Sequence, residues 1–375
     1  MQKVLHISNY YPPNIGGIEQ TAYDIVNAFK GRFIQTVICF NHEPGEKDEM
    51  FDDVRVIRVG YFIKISSQAI SFSYRKKLKE VIRDFDPDII HFHYPNPLIA
   101  YFLVGIKSRA KLIIHWHADI IKQRILRIFF VGIHRKLIKR ANAIIATSNN
   151  YIEGSKPLLK NREKCFVLPS AINFKRLELT EDNIQNAKKI KEKYKGFFLG
   201  FFVGRHVEYK GISYLIQAAR FMPDNVRILI GGSGPLSTEL KEQAKDNDKI
   251  IFLGRLKDDE LKEYLYASDI FLFPSITKNE AFGLSLGEGL FYGKPAVTFT
   301  IPGSGVNFVN LNGVTGLEVP NRNVRAYADG IMILMYDKKL YKTLSENAHN
   351  RIYEILSPKA FSTKLNEIYS TVLEK

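Results

Sequence analysis

Short apolar runs alternate with stretches of helical period along most of this chain. In the first half, Val4–Ser8, Thr36–Phe40, Val54–Val59, Ile89–His93, Lys111–His115, Ala143–Thr147 and Lys164–Leu168 have the length and branching of strands. Gly17–Phe29, Tyr74–Asp84 and Pro97–Ser108 between them have the spacing of helices. A second series opens at Phe198–Val203 and continues through Arg227–Ile230, Ile250–Leu253, Ile270–Phe273 and Pro295–Phe299. Strands alternating with helices imply parallel sheets covered on both faces. Two series predict an α/β chain of two doubly wound domains, residues 1–170 and 171–357. The polar stretch Pro169–Thr180 is the expected linker. The last helix, near Pro358–Leu373 in the 358–375 tail, is expected to pack back on the first domain. In open sheets of this kind, ligands bind outside the carboxyl ends of the strands. The useful residues should therefore follow strands, in both domains, and face a cleft between them.

Composition narrows the class. A chain of 375 residues, 45% hydrophobic and 25% charged, suits two globular domains. Cys39 and Cys165, the only cysteines, lie in strand-like runs, which argues for a reducing compartment and against a disulfide frame or a cysteine metal site. The first residues read as a strand rather than a signal peptide. No apolar run approaches the ~20 residues of a membrane-spanning helix, so the expected location is cytoplasmic. The net charge of +15 is uneven: residues 1–170 hold 26 Lys and Arg against 15 Asp and Glu, a surplus of 11. A basic first half points to a polyanion or an anionic membrane face. The sharpest local feature is Arg124 to Arg140, with six Lys or Arg, no acid and an apolar stripe. It reads either as an interfacial amphipathic helix or as a core helix with a solvated basic face.

Candidate chemistry follows the strands. Glu280-Ala-Phe282-Gly283-Leu284-Ser-Leu-Gly-Glu288 comes after the Ile270–Phe273 run and enters a helix closed by Gly293-Lys294-Pro295. Its first carboxylate can accept hydroxyls, the amides near Gly283 and Leu284 can face an anion, and the second carboxylate lies about 12 Å further on. After Phe198–Val203 come Gly204, Arg205 and Lys210, the arginine a fork and the lysine a point charge for phosphate oxygens. Gly16-Gly17 forms a strand-to-helix turn that lets backbone approach a diphosphate. Trp116-His117-Ala-Asp119 follows Lys111–His115, and His117 could bond a sugar hydroxyl or assist a proton. Gly232, with Arg255 and Leu256, sits at strand ends able to line a nucleotide pocket, and Gly303-Ser-Gly305 could touch base or sugar. His91 and His93 add imidazoles on a strand, but their spacing and the lack of a carboxylate partner argue against a metal. Asp84-Phe-Asp86-Pro-Asp88 matches an Asp-x-Asp pattern but lies in a turn and reads as structural.

Taken together these motifs resemble the retaining glycosyltransferases of family 4, whose GT-B architecture has two facing Rossmann-like domains with an inter-domain cleft. The resemblance covers nearly the whole chain and extends to Gly313-Val-Thr-Gly316-Leu. It implies that Glu280 binds donor-sugar hydroxyls, Glu288 the ribose, and Arg205 and Lys210 the diphosphate, aided by amides at Gly16–Gly17 and Phe282–Leu284. His117 would sit by the donor sugar. It implies no cofactor and no metal, with side-chain cations and helix ends stabilising the leaving group. The chain departs from the family at Gly287 and Gly289, where larger residues or alanine are usual. Thr298–Val306 and His115–Lys122 look like bacterial surface-polysaccharide mannosyltransferases. They imply GDP-mannose as donor, with UDP-hexoses or UDP-N-acetylhexosamines as the alternative. A glycan or polyprenyl-diphosphate-linked acceptor at an anionic inner-membrane surface completes the expectation. A sugar-nucleotide epimerase keeps the fold but changes the chemistry. Nucleic-acid binding rests on charge alone and leaves both glutamates unexplained, so no nucleic-acid partner is expected.

Overall fold

A computed structural model of the chain describes residues 1–13, 16–65, 68–71, 73–119 and 124–374, with side chains at all of these except 64, 65, 68 and 124–131. The chain forms two compact units. The first comprises Met1–Thr147, Ser155–Ala171 and the chain from Phe361 onward; the second comprises Ser148–Gly154 and Ile172–Ala360.

In the first unit the strands are β1 (Lys3–Ile7), β2 (Ile34–Phe40), β3 (Lys47–Phe51) and β4 (Val54–Val59), a hairpin of β5 (Ile63–Ile65) and β6 (Gln68–Ile70), and then β7 (Ile89–Tyr94), β8 (Lys111–Trp116), β9 (Ala143–Ala146) and β10 (Cys165–Val167). Eight of them form one sheet in the order β10-β9-β8-β7-β1-β2-β4-β3. Every pair is parallel except β3–β4. The central strands are buried on both faces, which is why they read as unbroken apolar runs. The C-terminal helix Pro358–Glu374 buries Phe361, Leu365, Ile368 and Val372 with Val4, Ile89 and Ile113 of the sheet.

The second unit holds β11 (Phe198–Val203), β12 (Val226–Gly231), β13 (Ile250–Gly254), β14 (Ile270–Phe273), β15 (Ala296–Phe299) and β16 (Gly316–Val319). Its all-parallel order, β13-β12-β11-β14-β15-β16, is the Rossmann order 3-2-1-4-5-6 counted within the unit. The chain direction across the sheet reverses between β11 and β14, and the crevice beyond their carboxyl ends is where such a sheet receives a ligand.

Three findings differ from the sequence reading. The strands β3, β5, β6 and β16 carry no apolar run; β3 is a charged edge whose Asp48 and Glu49 pair with Arg55 and Arg58 of β4. The expected linker contains a short helix, Phe174–Leu177, capped by Asn173. Residues 148–154, read as part of the first domain, group with the second unit: Lys278 Nζ donates to the Gly154 carbonyl at 3.0 Å. The Arg124–Arg140 segment is a helix, but the side chains of 124–131 lie outside the described residues. In its last turns Leu137 and Ile138 are buried while Arg135, Lys136 and Lys139 are exposed. Among the described residues no helix is long and apolar enough to cross a membrane.

Candidate functional site

The β11–β14 reversal point gathers most of the residues read from the sequence. Gly204 and Arg205 follow β11, and a 3-10 turn, Glu208–Lys210, brings Lys210 back toward β14. The ammonium of Lys210, buried, lies 4.9 Å from the centre of the Phe273 ring and ion-pairs with Glu280. Ser275 Oγ donates to Glu280 Oε2 at 3.2 Å. The two residues read as separate contacts, one for phosphate and one for sugar, therefore form a single ion pair. With its charge balanced there, Glu280 keeps lone pairs for hydroxyl donors, and the Lys210 ammonium keeps N–H groups for an anion.

The Gly303–Gly305 segment holds the backbone of this acid in place. Ser304 Oγ donates to the Glu280 carbonyl, and Gly305 N donates to the Ala281 carbonyl at 3.0 Å. Phe282 is buried in the core of the second unit. Gly283 then caps the helix Leu284–Phe291 at φ +92°, a left-handed conformation that favours glycine, with no side chain capping the amides. Those amides, near Leu284, are a ready anion site. Glu280 itself lies in the loop before the helix and only Glu288 rides on it, the order of strand, acid, glycine and helix that the sequence predicts. The departures at Gly287 and Gly289 have a packing cause. A Cβ at Gly289 would lie 2.5 Å from Phe271 of β14, and one at Gly287 would lie 2.3 Å from Ile172. Gly289 lets the helix sit directly on the sheet, and Gly287 lets it meet Ile172 of the linker stretch.

Glu288, the expected ribose contact, has a protein partner of its own. Its carboxylate pairs with Arg176, which also pairs with Asp258. Burial pushes the Glu288 carboxyl above its ordinary range, and the Arg176 guanidinium pulls against that shift. Sequence reasoning missed Arg176, which sits in the expected linker; an arginine in a polar stretch carries no signal of its own. A cavity of about 270 Å³ adjoins, lined by Gly204, Arg205, Gly232, Ser233, Arg255 and Leu256 among others. That is slightly below the ~300–1,000 Å³ of sites for drug-sized ligands, a size for part of a nucleotide rather than the whole of a nucleotide sugar.

The remaining sequence-predicted residues lie in the first unit. Gly16 caps the helix Gly17–Ala28, again without a side-chain cap, and both glycines are exposed; Asn14 and Ile15 in the same loop lie outside the described residues. Arg58, in the apolar strand β4, is buried and holds the start of this loop, donating to the Tyr11 carbonyl at 3.1 Å and the Pro12 carbonyl at 2.6 Å. His117, just past β8, is buried and stacks on His115 at 4.2 Å. Its Nε2 lies 3.0 Å from His93 Nδ1. Burial pulls its imidazole down to about 3, so the ring is neutral at neutral pH. Nitrogens of His91, His93 and His115 come within 4.8 Å of one another. The His91–His93 and His93–His115 rings, however, are stacked at 19° and 20°. Imidazole lone pairs lie in the ring plane, and nearly parallel stacked rings do not aim them at one point. The Asp84–Asp88 run is structural: Asp88 accepts from Lys3 N at 2.8 Å and Asp86 pairs with Arg109.

A Rossmann-ordered second unit with an acid and a lysine at its reversal point, following a largely parallel first unit, is the fold of the GT-B enzymes. Residues 15–176 match the family model for Glycosyltransferase Family 4, and residues 183–351 match that for glycosyl transferases group 1. The chain belongs to this family, with one domain of each kind. It is 28% identical over 376 residues to the O-antigen chain mannosyltransferase C of Escherichia coli, covering 99% of both chains. It is 29% identical to the D-rhamnosyltransferase WbpZ of Pseudomonas aeruginosa, covering 95% of this chain and 92% of that one. The fold matches the crystal structure of Anabaena Alr3699/HepE in complex with UDP-glucose with a TM-score of 0.77 at 17% identity, over 99% of this chain and 100% of that one.

Proposed function

We propose that this glycosyltransferase is a retaining hexosyltransferase that moves mannose from GDP-mannose to a glycan or polyprenyl-diphosphate-linked glycan in bacterial surface-polysaccharide assembly. The observation that carries the reading is the Lys210–Glu280 pair with Ser275 at the reversal point of the second sheet, beside the cavity at Arg205 and Arg255. Glu280 holds sugar hydroxyls, Lys210 and Arg205 offset the charge growing on the departing diphosphate, and the amides after Gly283 add to them. This is transition-state stabilisation without a metal. The cavity takes the base and Glu288 the ribose. Retention follows a front-face path in which the departing phosphate takes the acceptor proton. The full-length likeness to an O-antigen mannosyltransferase supports mannose and a polysaccharide product.

Calorimetry with GDP, UDP, GDP-mannose and UDP-glucose tests the donor. GDP is expected to bind about tenfold or more tightly than UDP, a difference of ~1.4 kcal/mol. Tighter UDP binding would reverse the donor assignment, and turnover of a nucleotide sugar without any acceptor would indicate an epimerase.

The basic surplus of residues 1–170 supports a second part of the reading, attraction to an anionic membrane face. In sedimentation at low salt, the chain is expected to associate with vesicles containing phosphatidylglycerol and to leave them as salt rises through ~0.15 M, where the Debye length falls to about 8 Å. Equal binding to neutral vesicles would contradict the electrostatic attraction.

A further inference from the structure

Five buried imidazoles gather on the first sheet: His6 on β1, His91 and His93 on β7, His115 on β8 and His117 just beyond it. A neutral imidazole has one N–H and one bare lone pair, and its hydrogen-bond partners decide which nitrogen holds the proton. Burial keeps these rings neutral, holding His6 near about 4 and His91, His93 and His115 well below the ordinary range. At His6 the partner is unambiguous. Gln35 Nε2 donates to the Val26 carbonyl at 2.9 Å, so the Gln35 Oε1 that faces His6 Nε2 at 3.0 Å must accept. The proton is on Nε2, and the unpartnered buried Nδ1 is a bare lone pair.

His93 presents the same choice. Its Nδ1 faces His117 Nε2 at 3.0 Å, and its Nε2 is buried with no partner. A proton on Nε2 would leave a buried N–H without an acceptor, the rarer and costlier of the two defects. A proton on Nδ1 makes the hydrogen bond to His117 and leaves only a lone pair unmet, as at His6. We infer that His93 donates from Nδ1 to His117 Nε2 and so fixes His117 as its Nδ1–H tautomer, which makes His117 a hydrogen-bond donor to an oxygen of the transferred hexose rather than a proton-accepting base. His93 is then a positioning residue. This rests on the reading of His117 as a contact of the sugar, and it assigns that contact a direction: the site selects an oxygen that accepts.

The test is a two-bond nitrogen–proton spectrum of the full chain with labelled histidine, with His117 assigned by its loss in His117→Asn. The expected wild-type spectrum has Nδ1 protonated and Nε2 bare in both His93 and His117; an Nε2–H His117 overturns the inference. His93→Leu removes the donor and is expected to mix the His117 tautomers and lower kcat about tenfold, the worth of one ordinary hydrogen bond. His93→Asn, whose amide N–H takes the place of Nδ1–H, should restore both, with melting curves confirming that each variant is folded. Identical tautomers and turnover in the two variants would also overturn it. His117→Asn is expected to keep about tenfold more mannosyl transfer than His117→Ala, because an amide can donate but cannot act as a base; equal loss in both overturns the donor role. Wild-type turnover in His117→Ala alongside the expected spectrum would instead remove the reading of His117 as a sugar contact and leave the tautomer standing.

Discussion

Glu280→Gln is expected to lower kcat by about 10²–10³, the scale of losing one preorganised electrostatic group, while free-nucleotide affinity stays within a few-fold of the wild type. The glutamine keeps the shape and can still accept from Ser275, but it removes the charge that Lys210 faces. Lys210→Met is expected to cost a similar factor in kcat and, in addition, affinity for GDP-mannose, because its ammonium is proposed to serve the phosphate as well as the acid. Both side chains of the pair are only about a tenth exposed, at 11% and 12%. Each single variant therefore leaves an uncompensated charge in a poorly solvated place and should lose stability, up to ~3–5 kcal/mol when the stranded charge is well buried. The double variant Lys210→Met/Glu280→Leu separates the two effects. It should regain most of the melting temperature, since an apolar pair can replace a buried ion pair, and it should stay inactive. Recovery of turnover together with stability would show that the pair only holds the fold.

The residues of this pair were legible in sequence, but the pair was not. Lys210 and Glu280 each follow an apolar run, so the open-sheet rule placed each at a strand end, and the Rossmann order of β11–β16 brings those ends together. What sequence could not supply is contact between distant side chains. Arg176 meets Glu288 across 112 positions and Asp258 across 82, from a stretch that reads as linker. The imidazole stack was half visible: the spacing of His91 with His93 and of His115 with His117 marks one face of each strand. That His93 lies opposite His115 is a matter of register, and parallel register is set by packing across the sheet rather than by any local turn. The strands that escaped notice failed for a local reason. β3 is a charged edge and β16 a four-residue edge, and neither needs apolar residues on both faces. Gly287 and Gly289 read only as departures from the family, because helix propensity disfavours glycine and counts the helix alone, whereas the close contacts with Phe271 of the sheet and Ile172 of the linker stretch count what lies against it.

Glu288→Gln should weaken binding of free GDP by about 10–100-fold, equivalent to ~1.4–2.7 kcal/mol, in calorimetry. A carboxylate has about four lone-pair directions, and Arg176 engages one oxygen, Oε1; the other remains available to a vicinal diol such as a ribose. Arg176 fixes the rotamer and supplies charge to a carboxyl that burial would otherwise drive toward its neutral form. Arg176→Leu should therefore reproduce much of the affinity loss although it leaves the carboxyl in place, and the loss should deepen as pH falls. The sign follows from the raised pKa: without the guanidinium the carboxyl takes up a proton at higher pH than in the wild type, so acid removes the accepting charge sooner. Asp258→Asn should have a smaller effect, because Asp258 is more than half exposed and its pairing with Arg176 is solvent-screened. Glu280→Gln supplies the control in the same titration. If it weakens free GDP as much as Glu288→Gln does, the division of the two acids between sugar and nucleoside is wrong, and both belong to one undivided polar cradle.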